Sequence, residues 1–349
     1  MFKTYIPAII YNTLLFPLNF GFSYLFKGKK DEYKNFFSLD LKEEYKNIEE
    51  INSFNIHNFS FDIKLSSLNE LNSKIDFFKE LKNKEILINI IYENEKLDTT
   101  LSEKLKKFFT QVKPFCKEFA ISSSGTSLNS LSQELSFYKF TQFILDENFS
   151  DCKLISISSQ SNNPFLLLRR FYNKFNIRYG TSIFTLALKN KNTPEYKEFG
   201  LFDFSKGIDY SNALSNLSAK SSNGNINLKI EYKEEIDLNY LLRACLLAYS
   251  SEKIDKLFLD INYLKTEKEK KAFIYMKEQL KNAKIKKFSK SKNLHVLTCE
   301  NKTKNFDIIW SSSNREIELT DFNKVYDKFG TLLEKDIVIS TSPIYALHK

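Results

Sequence analysis

Few residues of this chain combine a reactive type with a placement that could do chemistry, and the foremost is Glu231. It ends the apolar part of Asn225 to Glu235, NINLKIEYKEE, in which Ile226, Leu228 and Ile230 alternate as in a buried strand. Read as the seventh strand of a (β/α)8 barrel, this run gives Glu231 the address of a catalytic residue, because such barrels carry their chemistry at the C-terminal ends of the strands. The plainer reading is a solvated glutamate that opens an acidic loop with Glu234 and Glu235. Three other carboxylates share the barrel-mouth address: Glu93 after the third strand, Asp203 in the sixth loop and Asp260 on the eighth strand. Each also reads as a solvated loop residue. Glu147 precedes the fifth strand, which puts it on the opposite, stability face.

Metal chemistry finds no support. Cys116, Cys152, Cys245 and Cys299 lack metal-ligand spacing and sit in or beside apolar runs, so they read as reduced core thiols. His57, His295 and His348 are scattered, and His57 and His295 fall in strand-like runs. No cofactor is implied.

The 349 residues suffice for a barrel of about 250 residues plus an appendage. A hydrophobic fraction of 42% and an aromatic fraction of 15% supply the core. The net charge of +9 suggests a nucleic-acid partner only at first sight. Arginine is confined to Arg169, Arg170, Arg178, Arg243 and Arg315, and the lysines are dispersed among acidic residues instead of clustered as a footprint. No nucleic-acid partner is expected. The apolar stretch Tyr5 to Phe26 is interrupted by Pro7, Asn12, Pro17 and Asn19, so soluble strands are expected there, with membrane attachment the alternative. A cytoplasmic location follows as an expectation.

Strand-like and helix-like runs alternate from Asn19 onward, which argues for parallel strands in an α/β architecture. The expected strands are Phe20 to Phe26, Ile56 to Leu65, Glu85 to Tyr92, Glu118 to Ser122, Lys153 to Ser159, Thr181 to Leu188, the Glu231 strand, and Lys256 to Ile261. Helices are expected at Leu41 to Ile51, Leu68 to Leu81, Leu101 to Val112, Leu128 to Leu145, Phe165 to Phe175, Tyr210 to Ala219, Leu238 to Tyr249 and Lys268 to Leu280. Beyond about Lys284 the pattern changes to short strands: His295 to Cys299, Phe306 to Ser311, Glu316 to Leu319, Lys324 to Tyr326, Ile337 to Ser340 and Ile344 to Leu347. The expected organisation is a barrel over 1–283 and a small antiparallel β domain over 284–349.

That tail carries a pattern of its own: Trp310-Ser311 ending a strand, Tyr326-Asp327 with Gly330 in a hairpin, then Ser342-Pro343 with Tyr345. It resembles the C-terminal β domain of clan A glycoside hydrolases. The barrel is similar to that clan too, in particular to glycosidase-like proteins of bacterial envelope-polysaccharide loci. Its seventh-strand signature of isoleucine, threonine and glutamate is matched only in part, since Lys229 and Ile230 precede the glutamate. The resemblance implies a retaining mechanism, with Glu231 as nucleophile and an acid/base glutamate on strand four. That second address falls at Ser122 to Ser124, where the chain has no carboxylate. Positioned acid catalysis is worth about 100- to 10,000-fold. Its loss predicts at best a slow enzyme acting on activated leaving groups, with Glu93, Asp203 or Asp260 as substitutes for the missing acid.

Two functions follow. One is a glycosidase or transglycosidase acting on bacterial surface glycans, with Tyr92, Tyr232, Ser123 and Ser124 in contact with the carbohydrate. The other is a catalytically inactive barrel that binds glycans or scaffolds their assembly. Both tyrosines also read as packing residues at the barrel rim.

Overall fold

A computed structural model describes residues 35–41, 47–70, 72–81, 84–123, 128–160, 181–188, 225–232, 237–250, 254–291, 293–311, 313–316, 320–334 and 337–349. The parallel strands are β1 (Phe37–Leu41), β2 (Asn58–Lys64), β3 (Glu85–Tyr92), β4 (Glu118–Ser123), β5 (Lys153–Ile157), β6 (Ser159–Gln160), β7 (Thr181–Leu188), β8 (Asn225–Tyr232) and β9 (Ile254–Asp260). They pair in the order β5-β4-β3-β2-β1-β9-β8-β7-β6. The two outermost strands are consecutive in the chain with only Ser158 between them, so β5 pairs with β4 while β6 pairs with β7. One continuous stretch therefore joins both edges and closes the sheet into a barrel of eight strand positions.

The first strand departs from the sequence expectation. Phe37–Leu41 pairs with β2 on one side and β9 on the other, which is the position of strand one. The run Phe20 to Phe26 lies outside the described residues. FSLDL is short and holds an aspartate, so the alternation rule passed over it, and Leu41 belongs to this strand instead of the helix that follows.

Helices α1 (Ile48–Ser53), α2 (Asn72–Glu80), α3 (Thr99–Val112), α4 (Leu128–Asn148), α5 (Leu238–Tyr249) and α6 (Glu267–Leu280) are the α-helices among the described residues. Their starts have identifiable donors and acceptors. Asp98 accepts from the Leu101 amide at 3.1 Å to begin α3, and Thr266 and Glu269 form a reciprocal capping box at the start of α6. Leu101, Leu105, Phe108, Phe109 and Val112 then form the stripe that α3 buries. The expected helices Phe165 to Phe175 and Tyr210 to Ala219 lie outside the described residues.

The C-terminal part is a five-stranded antiparallel sheet ordered β10-β11-β12-β16-β14, beside a two-stranded pair of β13 and β15. Its strands are β10 (Lys284–Ser291), β11 (Leu294–Glu300), β12 (Asn305–Ser311), β13 (Arg315–Glu316), β14 (Phe322–Tyr326), β15 (Val338–Ile339) and β16 (Ile344–His348). Strand β10 was not expected. Its lysine-rich sequence KIKKFSKS has little strand signature, and lysines on such an edge oppose pairing with another sheet. His57 also differs from expectation: it is exposed and precedes β2, whereas His295 is buried in β11.

The tail residues that carried the resemblance have packing reasons. Gly330 adopts φ +81°, and a Cβ there would lie 2.6 Å from Cε2 of Tyr275 on α6. Asp327 holds the same turn by accepting from the amides of Phe329 at 2.8 Å and Thr331 at 2.7 Å. Tyr345 packs edge-to-face on Tyr275 with ring centroids 5.1 Å apart, and the fully buried Trp310 stacks on His295 at 5.3 Å. These contacts place the C-terminal sheet against α6 in one continuous apolar core with the barrel.

Candidate active site at the carboxyl ends of the barrel strands

The barrel lumen is built in layers from alternate residues of each strand. Leu87, Ala120, Ile155, Ile183 and Phe258, from β3, β4, β5, β7 and β9, form a compact apolar cluster apart from the main core. Side chains from strands so far apart in the sheet meet only inside the barrel. Two residues further along β3, β4, β7 and β9, toward the C-terminal ends, stand Asn89, Ser122, Thr185 and Asp260, while β5 keeps the apolar Ile157. The lumen changes from apolar to polar at that level.

Lys229 lies at the centre of the polar layer. Its Nζ donates to Oδ1 of Asp40 on β1 at 2.9 Å and to Oδ1 of Asp62 on β2 at 2.8 Å. The Lys229 side chain is only 4% exposed. Ser60 Oγ donates to Asp40, while Asn89 Nδ2 donates to Asp62 at 2.9 Å and to Ser122 Oγ at 2.9 Å. Hydrogen bonds thus run from the seventh barrel position, β8, across the lumen to the first four strands. Burial by itself would depress the Lys229 ammonium, but the charges and hydrogen bonds of Asp40 and Asp62 outweigh it and hold the group well above the usual lysine range.

Because side chains alternate along a strand, Glu231 faces the same way as Lys229, about 7 Å further toward the mouth. It is half-buried, and its register partner on β7 is Ala187. Glu231 therefore stands over the charged layer, on the face where such barrels carry catalytic groups. Asp260 comes next to this layer: it is buried, is the register partner of Asp40, and accepts from the Asn262 amide at 2.9 Å as the cap of a short 3-10 turn.

The remaining candidates sit elsewhere. Glu93 is exposed past the end of β3 and accepts from Ser66 Oγ at 2.6 Å. Tyr92 points to the helix layer: it is 4% exposed, stacks on Phe137 of α4 at 4.6 Å, and donates its hydroxyl to the Glu95 carbonyl. That is a packing position. Ser123 ends β4 in register with Tyr92 and is half-buried. Tyr232 ends β8, with its side chain outside the described set, and Asp203 and Ser124 lie outside the described residues altogether. Strand four thus ends in Ser122 and Ser123, with the Ser122 hydroxyl already engaged by Asn89.

Lys229, Asp40, Asp62 and Asn89 escaped the sequence reading as site residues. Part of the signal was available, since Asp40, Asp62 and Lys229 each stand between two apolar residues of a strand, in LDL, FDI and LKI. No described cluster of histidine, cysteine, aspartate and glutamate fits a metal ion, and all four cysteines are buried free thiols. Among the described residues, no helix is long and apolar enough to cross a membrane. A cavity of about 510 Å3 opens at the other end of the barrel, lined by Asn58, Glu85, Glu118, Asn227 and Lys256 among others. That is the face whose role in such barrels is stability.

No protein-family model matches the sequence, and no curated protein matches it. Solved structures do. A family 39 glycoside hydrolase from the gut symbiont Bacteroides cellulosilyticus WH2 superposes with a TM-score of 0.66 at 11% identity, covering 92% of this chain and 82% of that one. A GH39 enzyme from Xanthomonas axonopodis pv. citri gives a TM-score of 0.58 at 7% identity, over 93% of this chain and 96% of that one. A GH30 endoxylanase from Clostridium papyrosolvens C71 gives 0.57 at 10% identity, over 93% and 97%. The parallel barrel, the antiparallel C-terminal sheet and these superpositions together show that the chain has a glycoside hydrolase-like fold.

Proposed function

We propose that this protein acts on bacterial surface glycans at the C-terminal mouth of its barrel, with Glu231 as the nucleophile of a retaining-type site. The observation that carries this reading is the position of Glu231, at the end of the seventh barrel strand and on the inward face above a buried charge layer. A carboxylate there can attack an anomeric carbon and form a glycosyl-enzyme intermediate. The strand-four address supplies only serines, and a hydroxyl cannot protonate a departing alkoxide at neutral pH. Leaving groups that depart without a proton should therefore react, and ordinary glycosidic linkages should turn over slowly. Asp260 is the best placed of the substitute acids, because it lies in the polar layer. The barrel's resemblance to glycosidase-like proteins of bacterial envelope-polysaccharide loci supports glycans of the cell envelope as the ligand class.

A second reading, an inactive glycan-binding or scaffold barrel, is favoured by the same serines at the end of β4. Hydrolysis of a panel of dinitrophenyl and nitrophenyl glycosides by wild type and Glu231→Gln, with glycan binding followed on both, separates the two. Wild-type turnover of dinitrophenyl substrates, lost in Glu231→Gln, supports the enzyme. Binding in both proteins with turnover in neither supports the binding module. Turnover that survives Glu231→Gln would remove Glu231 from the mechanism.

A further inference from the structure

The charge layer below Glu231 calls for a reason. A buried ion cluster is expensive to desolvate, and well-packed apolar side chains in its place are often neutral or stabilising. This barrel fills its lumen with Leu87, Ala120, Ile155, Ile183 and Phe258 one layer lower, so an apolar solution is within its reach. The cluster nevertheless stands at the one level that adjoins Glu231. Among the described residues its hydrogen bonds converge on fixing one cation: Ser60 donates to Asp40, and Asn89 donates to Asp62 and to Ser122. Such a cation is preorganised and does not depend on a mobile surface side chain.

We propose that Lys229 is a positioning residue for Glu231: its ammonium, anchored by Asp40 and Asp62, keeps the glutamate ionised and pins the strand end that carries it. The role rests on the reading of Glu231 given above. Among the described residues, the charged groups on the inward face at this level and toward the mouth are Asp40 on β1, Asp62 and the exposed Lys64 on β2, Lys229 and Glu231 on β8, and Asp260 on β9, while Glu85, Glu118 and Lys256 lie at the opposite end, below the apolar layer. Strand β7, TSIFTLAL, contributes no titratable side chain, and β3 and β4 contribute the neutral Asn89 and Ser122. Asp40, Asp62 and Asp260 all oppose ionisation of Glu231, and among the described residues Lys229 is a buried cation on this face that favours it. The burial of Lys229 makes its charge act through a low dielectric, where it is felt strongly by a carboxylate two residues along the same strand face.

The test reads Glu231 itself. Its carboxyl carbon is followed by 13C NMR through a pH titration, assigned by the signal lost in Glu231→Gln, in wild type, Lys229→Met and Asp62→Asn. Lys229→Met should move the midpoint up by about one pH unit or more, and Asp62→Asn should move it down. A folded Lys229→Met protein whose Glu231 midpoint stays in place overturns the proposal. Should Lys229→Met fail to fold, Asp62→Asn decides: a downward shift supports the role, and an unchanged or raised midpoint refutes it. A merely structural lysine would alter stability without moving that midpoint in opposite directions in the two variants. The expected shifts in a protein that turns over no glycoside would sink the glycosidase reading while leaving the role of Lys229 intact.

Discussion

The two layers of the barrel lumen solve the same packing problem with opposite chemistry. In the lower one, Leu87, Ala120, Ile155, Ile183 and Phe258 fill the space with carbon. In the upper one, Lys229, Asp40, Asp62, Asn89 and Ser122 fill it with charges and dipoles that bond to one another. The lower layer resembles any apolar core, stabilised by the removal of apolar surface from water and by close contact. The upper layer is held by hydrogen bonds and ion pairs shared among its members, with only Asn89 Oδ1 of the five side chains' buried polar atoms lacking a partner, so losing one member costs more than losing one contact. The contrast separates what folds the barrel from what faces its mouth.

The largest effect should follow from breaking the upper layer. Lys229→Met leaves two carboxylates without their cation and should cost about 3 to 5 kcal/mol, read as a lower urea midpoint. If the variant were as stable as wild type, the layer would not be a coupled unit. The wild-type pH dependence sharpens the same point. The folded-state value for Lys229 is raised above the ordinary 10.5. Its contribution is therefore fully present below 10.5 and is lost only as pH climbs through the higher folded value. The part of stability due to Lys229 should be flat from about pH 6 to 9, with loss confined to strongly alkaline solution.

Next in size is the junction between the barrel and the C-terminal sheet. Gly330→Ala must place a side chain in the left-handed region and against the Tyr275 ring, 2.6 Å from Cε2. A loss of about 1 to 3 kcal/mol is expected from strain and displacement, measurable by chemical denaturation. Tyr275→Ala should relieve the clash, so the double variant should lose less than the sum of the single changes. Smallest is a conservative change in the lower layer. Ile155→Val removes one methylene from an apolar cluster and should cost about 1 kcal/mol, without altering the titration of Glu231.

Much of this fold was legible before any coordinates, for reasons that differ by element. EILINIIY and TSIFTLAL are long, apolar and rich in β-branched residues, and the strands fall where those runs lie, at Glu85–Tyr92 and Thr181–Leu188. LNYLLRACLLAY is a helix over the same residues, Leu238–Tyr249. The first strand was misplaced because a five-residue strand with an aspartate at its fourth position gives little periodicity, and its identity comes only from pairing with β2 and β9. Strand β10 was missed because its lysines mask a pairing that β11 imposes from outside. For the site, the address of Glu231 was readable from strand order. Its foundation was not, because Lys229 finds Asp40 and Asp62 across 189 and 167 residues of chain. Local patterning does not register contacts of that range. Tyr92 shows the converse: an aromatic at a strand end reads equally as a sugar platform or as packing, and only the orientation of its ring toward Phe137 decides.

The most direct measurement is covalent trapping. Wild-type protein is incubated with a panel of dinitrophenyl 2-deoxy-2-fluoro glycosides, whose leaving group needs no acid and whose fluorine slows release of the intermediate. The protein is then weighed intact and mapped by peptide mass. A single added sugar on the peptide that carries Glu231, absent in Glu231→Gln, is the predicted result. An adduct on another carboxylate, or none with any sugar while glycan binding is retained, would contradict a nucleophile at Glu231.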